Sequence, residues 1–427
     1  MIFPENALDS VAAREAIRII DRLRDAGFVA VLAGGCVRDA LLGRMPKDFD
    51  VATDATPDSV QQVFGRRHTV AFGASFGVIG VLPPLGVASD ELSGAPTEVA
   101  TFRADGNYSD GRRPDHVTYG NAEADAARRD FTINGLFYDP AAGEILDYVD
   151  GLADLRAMHL RTIGDADRRF DEDKLRMLRA VRFVTTLGLS VEPSTLAAIR
   201  LHAGTLALVS GERIGAEMRR VVAHPAVATG LQLLLDTGLH AQVWPQIESL
   251  AFSRLRTDYQ RIAGSEMASG MTFESGLATI LTLLHGDAEA AIKNLRQLTR
   301  TWKLATAEQR SITSAIRLAP EIARAEELPW SQLQPILIDR DIEVIMRVAA
   351  AISDEGAGVR HAFSQLRRAG ESLDPPPLLT GDDLIASGIS AGPQFRTWLS
   401  EIRRRQLDGE METSAEALDW VLREATR

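Results

Sequence analysis

Two hydrophobic periods alternate along the first 140 residues. Residues 8–27 repeat apolar side chains at helical spacing, and the VAVLAGG segment that follows has the unbroken apolar character of a buried strand ending in paired glycines. Further strands are predicted at DFDVAT, HTVAF, FGVIGVL, TEVATFR and DHVTYG, and Thr56 followed by Pro57 is typical of a helix start. The pattern predicts a mixed α/β head with a small sheet.

From about Gly151 onward the strand pattern disappears and helical periodicity dominates, with breaks at GLSVEPS, VAHPAV, LAPEI, DEGAG and LDPPPLLTGDD. Within the head, the segment RADGNYSDGRRPDH is rich in glycine, aspartate, asparagine and proline, which predicts a long mobile loop between Phe102 and Val117. No internal repeat is present. The expected fold class is therefore α+β, an α/β head followed by a long all-helical extension.

The composition narrows the class of protein. The chain has 427 residues, of which 45% are hydrophobic and 25% charged, and no apolar run approaches the roughly 18 residues of a membrane span. The formal charge of −12 argues against a protein that coats nucleic acid indiscriminately, although a local basic patch still binds phosphates. The N-terminal segment has no secretory pattern, which predicts a cytoplasmic protein, and the single cysteine, Cys36, excludes an internal disulfide.

The segment LAGGCVRDALLGRMPKDFDVAT carries the first candidate chemistry. Paired glycines between a strand and a helix let the backbone approach a phosphate, next to the positive end of the helix dipole. Thirteen residues after Gly35, strand alternation predicts that Asp48 and Asp50 share one face, with Phe49 on the other. Two such carboxylates repel each other and suit Mg²⁺. A solvated acidic edge strand is the alternative.

Two further segments carry candidate residues. Glu98 lies on a predicted strand and is a candidate third carboxylate, or else an exposed strand residue. In AARRDFTINGLF, helical spacing would bury Phe131 and Phe137 and cluster the charged residues at one end. Adjacent arginines can bind phosphate oxygens, which makes Arg129 a candidate, and an aspartate such as Asp130 can accept a hydrogen bond from a ribose hydroxyl. The alternative is that these charged residues form a surface ion-pair cluster.

The segment RRFDEDKLRMLRAVRFVTTLGL is predicted to be helical. On a helix its apolar residues form one arc, while Arg176 and Arg179 fall on the opposite face and Asp173 lies one turn before Arg176. A helix-stabilising ion pair on a solvated face is the alternative explanation.

These elements in this order resemble one family. GGCVRDALLG with DFD, RRDFTIN and EDKLRMLRAVRF are similar to motifs of the bacterial-type (class II) tRNA nucleotidyltransferases and their poly(A) polymerase relatives, within the polymerase-beta-like superfamily. GRRPDHV resembles the family's flexible loop, and SGERIGAEMRRVV and LTGDDLIASGISAGPQF extend the resemblance toward the C-terminus. One departure is Gly135, where the family usually has alanine; a glycine inside a helix costs about 1 kcal/mol in propensity.

The resemblance implies a set of roles. Asp48 and Asp50 would hold two Mg²⁺ ions, with Glu98 as the third catalytic carboxylate, and Asp130 would read the ribose 2′-hydroxyl. ATP and CTP would be the substrates. The implied nucleotide-binding residues are Gly34, Gly35, Arg38, Arg129, Asp130, Asn134, Glu172, Asp173, Arg176 and Arg179.

The implied base template has a physical rationale. Cytosine and adenine both present a ring-nitrogen acceptor beside an amine donor. Arg176 could donate to the ring nitrogen and Asp173 could accept from the amine, whereas guanine and uracil present the reverse pattern. A change between C and A would then need a small rearrangement, attributed to the loop over 103–117.

The resemblance also implies four domains and a tRNA partner. These are a catalytic head (1–140), a helical neck that recognises the base (141–220), a helical body (221–370) and a tRNA-binding tail (371–427). The arginine run Arg403, Arg404 and Arg405 is a candidate contact for tRNA phosphates, with a solvated helix face as the alternative. The sequence does not determine the oligomeric state, and no membrane partner is expected.

Several activities remain open within this resemblance. The stretch GRRHTVAFGASFGVIGV is closer to the tRNA-type TxxFGxxxV pattern than to the GRRFxLxHV stretch of poly(A) enzymes, which favours addition of C, C and A to a tRNA. Poly(A) polymerase, or a partial A-adding or CC-adding activity, is the alternative. A non-catalytic RNA-binding protein is disfavoured because both aspartates are present, and a phosphohydrolase because no histidine cluster accompanies His285-Gly286-Asp287.

Overall fold

The computed structural model describes residues 1–73, 77–83, 95–105, 117–247, 270–353, 356–368 and 370–425. The chain divides into two compact units: unit 1 comprises Met1–Glu217 and Thr229–Val243, and unit 2 comprises Met218–Ala228 and Trp244–Arg427. Beyond Asp105, the loop predicted between Phe102 and Val117 lies outside the described residues.

A seven-stranded mixed sheet forms the centre of unit 1. In spatial order the strands are β3-β4-β5-β2-β1-β8-β9, and β2 and β5 are parallel while the other neighbours are antiparallel. The strands are β1 (Ala30–Ala33), β2 (Asp50–Thr53), β3 (Thr69–Gly73), β4 (Val78–Val81), β5 (Thr97–Thr101), β8 (Leu136–Asp139) and β9 (Glu144–Asp147), and β6 (Arg103–Asp105) pairs with β7 (Val117–Tyr119).

One face of the sheet is covered by helices. Helix α1 (Val11–Asp25) and helix α3 (Pro57–Phe64) contact it, and helix α2 (Gly35–Leu41) follows β1 directly. Thr56 caps α3 by accepting from the Ser59 amide, and Pro57 occupies the first turn, as the sequence predicts. Alternating apolar residues of the central strands, Val51, Ile79, Val81 and Val99, are buried on this side.

Strands occur beyond the part of the sequence in which they were predicted. β9 completes the sheet beyond residue 140, and the two-residue strands β10 (His159–Leu160) and β11 (Ser190–Val191) pair in parallel, although no strand was expected after Gly151. These strands are too short for a period of two to be visible in the sequence. The remaining helices up to Val243 are Ala122–Ala127, Gly151–Ala157, Ala166–Glu172, Leu175–Leu187, Pro193–His202, Gly211–Val222, Val227–Thr237 and His240–Val243.

The described part of unit 2 beyond Trp244 is helical. Three mutually packed helices, Phe273–His285, Thr306–Ala323 and Ile342–Ile352, form its centre. A second apolar cluster around Leu384, Ile402 and Val421 organises the C-terminal helices. The other helices are Ala288–Trp302, Trp330–Leu337, Ala357–Gln365, Gly370–Leu373, Gly381–Ala386, Gln394–Leu407 and Ser414–Ala425. Of the helices in the described ranges, none is long and apolar enough to cross a membrane.

A buried hydrogen-bond chain in unit 2 leads to a pH prediction. Trp244 Nε1 donates to Asn294 Oδ1 over 3.1 Å, so the amide nitrogen of Asn294 faces His285 Nε2 at 3.0 Å. In that arrangement His285 Nε2 must accept and the imidazole must be neutral. Burial lowers the pKa of His285, while the charge of Asp287 opposes this shift. Protonation of His285 would place two donors face to face.

We therefore expect unit 2 to lose stability as the pH falls below about 6.5, because the unfolded histidine binds a proton that the folded one resists. All five tryptophans lie between Trp244 and Trp420, so their fluorescence during urea unfolding reports on unit 2. His285→Gln, which keeps an acceptor for Asn294, should flatten the decline between pH 8 and pH 5. The control is His361→Gln, which should keep the wild-type dependence of stability on pH. The same dependence in His285→Gln and in wild type would contradict the prediction.

Candidate active site

The glycine turn after β1 lies beside the first catalytic candidate. Ala33 pairs with Asp50 across the β1–β2 ladder, so the Gly34–Gly35 turn begins next to the Asp50 carboxylate. Gly34 has φ +69°, in the left-handed region, and its amide donates to the carbonyl of Leu136 over 2.9 Å. The turn is therefore fixed between β2 and β8.

Three carboxylates share the face of the sheet opposite α1 and α3. Asp48 and Asp50 are exposed and Phe49 between them is buried, as the sequence predicts. Val51 pairs with Val99 in the parallel β2–β5 ladder, which places Glu98 on the same face as Asp50. In the described ranges no three acidic, histidine or cysteine side chains are gathered closely enough to hold a metal by themselves.

The electrostatics of this face favour a cation. The Asp50 side chain reaches solvent, yet surrounding protein atoms and the negative charges of Glu98 and Asp48 raise its pKa to about 6, against the opposing charge of Arg129. Hard oxygen donors and mutual repulsion fit Mg²⁺, which is bound by one or two carboxylates together with waters and substrate phosphates. Asp48 and Asp50 are the residues that would hold it.

Arg129 packs against the glycine turn. Its guanidinium Nη1 donates to the carbonyl of Asn134 over 3.1 Å and would lie only 2.5 Å from a β-carbon at Gly34. Two further bonds, of 2.9 and 3.1 Å, join it to the buried carboxylate of Asp125. Burial raises the pKa of Asp125, but the charges of Arg129 and Arg128 outweigh it and the net shift is downward. A side chain at Gly34 would thus displace Arg129.

Four of the predicted nucleotide-binding residues form one connected network. Arg38 Nη1 donates to Asn134 Oδ1 over 2.5 Å, Asn134 Nδ2 donates to Asp130 Oδ1 over 2.8 Å, and Arg179 Nε donates to Asp130 Oδ2 over 2.8 Å. Arg38, Asp130 and Asn134 are buried. Burial raises the pKa of Asp130, yet Arg179 and the hydrogen bonds from Asn134 and the Phe131 amide hold it well below its usual range.

An aromatic platform beneath this network was not predicted from the sequence. The Phe183 ring lies 5.1 Å from the guanidinium of Arg38, 5.5 Å from that of Arg179 and 4.1 Å from that of Arg182. Phe183 appears in the sequence only as one apolar residue of a helix. Its contact with Arg38, nearly 150 residues earlier, exists only in the folded chain.

The helical interpretation of AARRDFTINGLF is wrong beyond its first residues. Helix Ala122–Ala127 ends before Arg128, Thr132–Asn134 is a 3₁₀ turn, and Phe137 belongs to β8. Phe131 pairs instead with Thr162 in an isolated bridge. Gly135 is thus not inside a helix, and its role is steric, because an added β-carbon would lie 2.6 Å from Val149 Cγ2.

The alternative explanation for this segment, a helix-stabilising ion pair between Asp173 and Arg176 within one helix, does not hold, because the segment forms two helices and each residue has another partner. Helix Ala166–Glu172 ends at Asp173, which has an extended backbone, and a second helix starts at Leu175. Arg176 Nη1 donates to Glu172 Oε2 over 2.9 Å, and Asp173 is bound instead by Arg213, with Nη2 at 2.8 Å from its Oδ2. Burial raises the pKa of Glu172, but hydrogen bonds from Arg176 and Arg169 bring it below its ordinary value.

Arg176 is 7% exposed, so it does not lie on a solvated face as its helical position suggested. Glu172, Asp173 and Arg176 are nevertheless neighbours, because both helices meet at Asp173. Arg213 and Arg169, which complete the cluster, were not singled out from the sequence. Arg213 lies 40 residues from Asp173, so local spacing gives no signal for their contact.

The C-terminal arginine run has partners within the chain. Arg403 donates to Asp374 over 2.8 Å, and Arg405 donates to Glu401 over 2.7 Å. Arg404 lies within ion-pair distance of Glu401, Asp408 and Glu410. These contacts favour a structural role in the C-terminal helices over the predicted phosphate contacts, which stay untested.

The mixed sheet, its glycine turn and its paired aspartates define a polymerase-type nucleotidyltransferase head. A family model described as the Poly A polymerase head domain matches residues 30–161, and one described as the probable RNA and SrmB-binding site of polymerase A matches residues 188–250. The expected fold class is confirmed by these matches and by the solved structures below.

Curated and solved relatives extend over the whole chain. The CCA-adding enzyme of Geobacillus stearothermophilus is 34% identical over 423 residues, 97% of each chain, and that of Levilactobacillus brevis is 31% identical over 401 residues, 94% of this chain and 95% of the relative. The crystal structure of the Bacillus stearothermophilus CCA-adding enzyme in complex with CTP has a TM-score of 0.79 at 30% identity, covering 98% of each chain. The chain belongs to the CCA-adding enzyme family of tRNA nucleotidyltransferases.

A more distant structure shares the fold. The Thermotoga maritima CCA-adding enzyme complexed with tRNA is 18% identical with a TM-score of 0.64, covering all of this chain and 99% of its own. The family matches and the curated relatives above, at 31% and 34% identity, confirm the resemblance derived from the motifs.

Proposed function

We propose that this protein adds C, C and A to the 3′ end of tRNA, using CTP and ATP and releasing pyrophosphate. The observation that carries the proposal is the position of Asp50, beside the Gly34–Gly35 turn and on one face with Glu98, in a chain related over its full length to CCA-adding enzymes. The family membership supports the reaction, and the geometry supports where it takes place.

Asp48 and Asp50 supply the acidic ligands for two Mg²⁺ ions. When bound, the ions would lower the pKa of the attacking 3′-hydroxyl and stabilise the departing pyrophosphate. A cation would offset the repulsion at Asp50, whose pKa is raised by surrounding protein atoms and by its acidic neighbours. Glu98, on the adjacent strand, adds to the negative potential that draws cations to this face.

The triphosphate lies on the β1–β8 side of the carboxylates in this proposal. The Gly34–Gly35 backbone allows close approach, and the guanidinium of Arg129 lies against it, 2.5 Å from the position of a β-carbon at Gly34. Arg38 adds positive charge behind the turn. Asp130 accepts four hydrogen bonds, from Arg179 twice, Asn134 and the Phe131 amide, so a ribose hydroxyl would bind Asp130 only by replacing one of them.

Base recognition falls to Arg176 and Asp173. Arg176 Nη1 is occupied by Glu172 and by the carbonyl of Arg169, which leaves other N–H groups of its five to donate to a ring nitrogen. Asp173 Oδ2, fixed by Arg213, keeps acceptor capacity for the exocyclic amine of cytosine or adenine. Glu172 holds the Arg176 side chain in place, so the ion pairs inside the cluster act as supports for the template.

The proposal is tested by supplying purified protein and Mg²⁺ with a tRNA transcript that ends before CCA. CTP alone should add two residues, CTP with ATP should stop at three, and neither UTP nor GTP should be incorporated efficiently. Long ATP-dependent ladders would identify a poly(A) polymerase instead. RNA binding without any extension would indicate a non-catalytic protein, and chelation of the metal should abolish extension while leaving RNA binding.

A further inference from the structure

An exposed basic turn lies at one edge of the unit 1 sheet. Arg66, Arg67 and His68 form a 3₁₀ turn between helix α3 and strand β3, and all three are exposed. We call this segment the basic turn. Within the described residues, none of their side chains forms an ion pair or hydrogen bond. Two adjacent arginines followed by a histidine, with no ion pair among the described residues, stand out in a chain with a net charge of −12.

The backbone of the basic turn is fixed. Gly65, with φ +84°, ends α3, and the His68 amide donates to the Gly65 carbonyl over 3.0 Å. The His68 carbonyl accepts from the Leu82 amide over 2.9 Å, so the turn is anchored to the end of β4. The cationic side chains are therefore presented from a rigid base, which reduces the entropy lost when an anion binds.

The strand register places Val70, two residues after the basic turn, on the side of the carboxylates, so the chain crosses from the α3 side to this face at the turn. Val70 pairs with Gly80, and Gly80 pairs with Glu98, so all three belong to one face of the sheet. That face also carries Asp50. Gly80 contributes no side chain between Glu98 and Val70, which is 39% exposed. Two interstrand spacings, about 10 Å in all, separate β3 from β5.

The geometry of nucleotidyl transfer determines from which side of Asp50 the RNA end can approach. The triphosphate-binding groups, Gly34 and Arg129, lie toward β1 and β8, on one flank of Asp50. In-line displacement requires the attacking hydroxyl to enter opposite the departing pyrophosphate. The RNA end would then come from the other flank, over β5 and β4 from the edge strand β3, at whose start the basic turn lies.

We propose that Arg66, Arg67 and His68 bind phosphates of the RNA strand just upstream of its 3′ end and so direct the end toward Asp50. The inference rests on the proposed nucleotidyl transfer to tRNA. It assigns an RNA contact to the head itself, in addition to any contacts made by the helical part of the chain. Phosphate contacts position an RNA without reading its sequence, so this contact should be independent of the bases.

The test is direct binding of a tRNA lacking CCA, measured without nucleotides over a range of salt concentrations. The double variant Arg66→Ala with Arg67→Ala should bind about 10-fold more weakly and reduce the slope of log affinity against log salt by about 1 to 2. The KM for CTP should stay unchanged. Arg66→Lys with Arg67→Lys should restore binding, because it keeps the charge.

The control removes an exposed arginine from α1, Arg14→Ala, on the helix that covers the opposite face of the sheet. A truncated tRNA that lacks the single-stranded nucleotides at its 3′ end should abolish the difference between the Arg66/Arg67 double variant and wild type. Equal affinity and salt slope in that variant and in the control would overturn the inference. If wild type binds RNA through the basic turn but extends nothing, the proposed function fails and the RNA contact stands.

Discussion

Asp50→Asn is expected to lower the rate of CTP and ATP incorporation by at least about 10³-fold, equivalent to about 4 kcal/mol of transition-state stabilisation. The amide keeps the shape of the side chain but removes the charge that would hold Mg²⁺ beside the Gly34–Gly35 turn. The measurement is single-turnover extension of a tRNA lacking CCA under saturating nucleotide and RNA.

Two further readouts separate lost chemistry from lost structure. RNA affinity should not change, and the melting temperature should not fall, because Asp50 lies among acidic neighbours and its pKa is raised to about 6 by surrounding protein atoms, Glu98 and Asp48. Asp58→Asn, an exposed aspartate in the first turn of α3, is the control and should retain activity. An Asp50→Asn enzyme with more than a tenth of the wild-type rate would contradict the assignment of Asp50 as a metal ligand.

The second large effect concerns stability. Arg179→Ala should destabilise unit 1 by about 3 kcal/mol, because it leaves the Asp130 carboxylate, 8% exposed, without its cationic partner. Since Asp130 has a lowered pKa in the fold, the stability it contributes is present above its unfolded pKa, about 3.9, and is lost as the pH falls below it. Arg179→Ala should remove most of that acid dependence.

Thermal unfolding followed by circular dichroism measures this change. Tryptophan fluorescence would not report on unit 1, because all five tryptophans lie in unit 2. Arg168→Ala is the control: Arg168 is 78% exposed and its bond to Glu172 is 3.3 Å, so the change should cost less than about 1 kcal/mol. Combining Arg179→Ala with Asp130→Asn should recover part of the loss. An Arg179→Ala protein as stable as the control would contradict the prediction. It would show that the hydrogen bonds from Asn134 and the Phe131 amide stabilise the Asp130 carboxylate without Arg179.

Local chemistry made several elements of the head predictable. Thr56 and Pro57 start α3 because a threonine cap and a proline in the first turn satisfy the same local requirements in any fold. Asp48 and Asp50 share a face because extended backbone alternates its side chains, and Phe49 is buried for the same reason. The turn at the paired glycines after β1 could be predicted from the apolar run that precedes it and the helix that follows it.

Predictions of secondary structure failed where residues that form strands are also spaced as on a helix. The spacing of Phe131 and Phe137 fits a helix, yet Phe131 bridges to Thr162 and Phe137 pairs with Leu146 in the β8–β9 ladder. Hydrogen bonds to strands that are distant in sequence outweighed the weak local preference. The interruption at Asp173 between helices Ala166–Glu172 and Leu175–Leu187 is of the same kind, since Asp173 is bound by Arg213 on another helix.

The sequence by itself determined the class of fold, the glycine turn, the shared face of Asp48 and Asp50, and the family, because each depends on residues that are close along the chain. Only the tertiary structure decided which charges meet: Arg38 with Asn134, Arg179 with Asp130, Arg176 with Glu172, and Arg403–Arg405 with acidic residues of the tail. Charged side chains are long and their partners are chosen by proximity and burial, which no local period encodes.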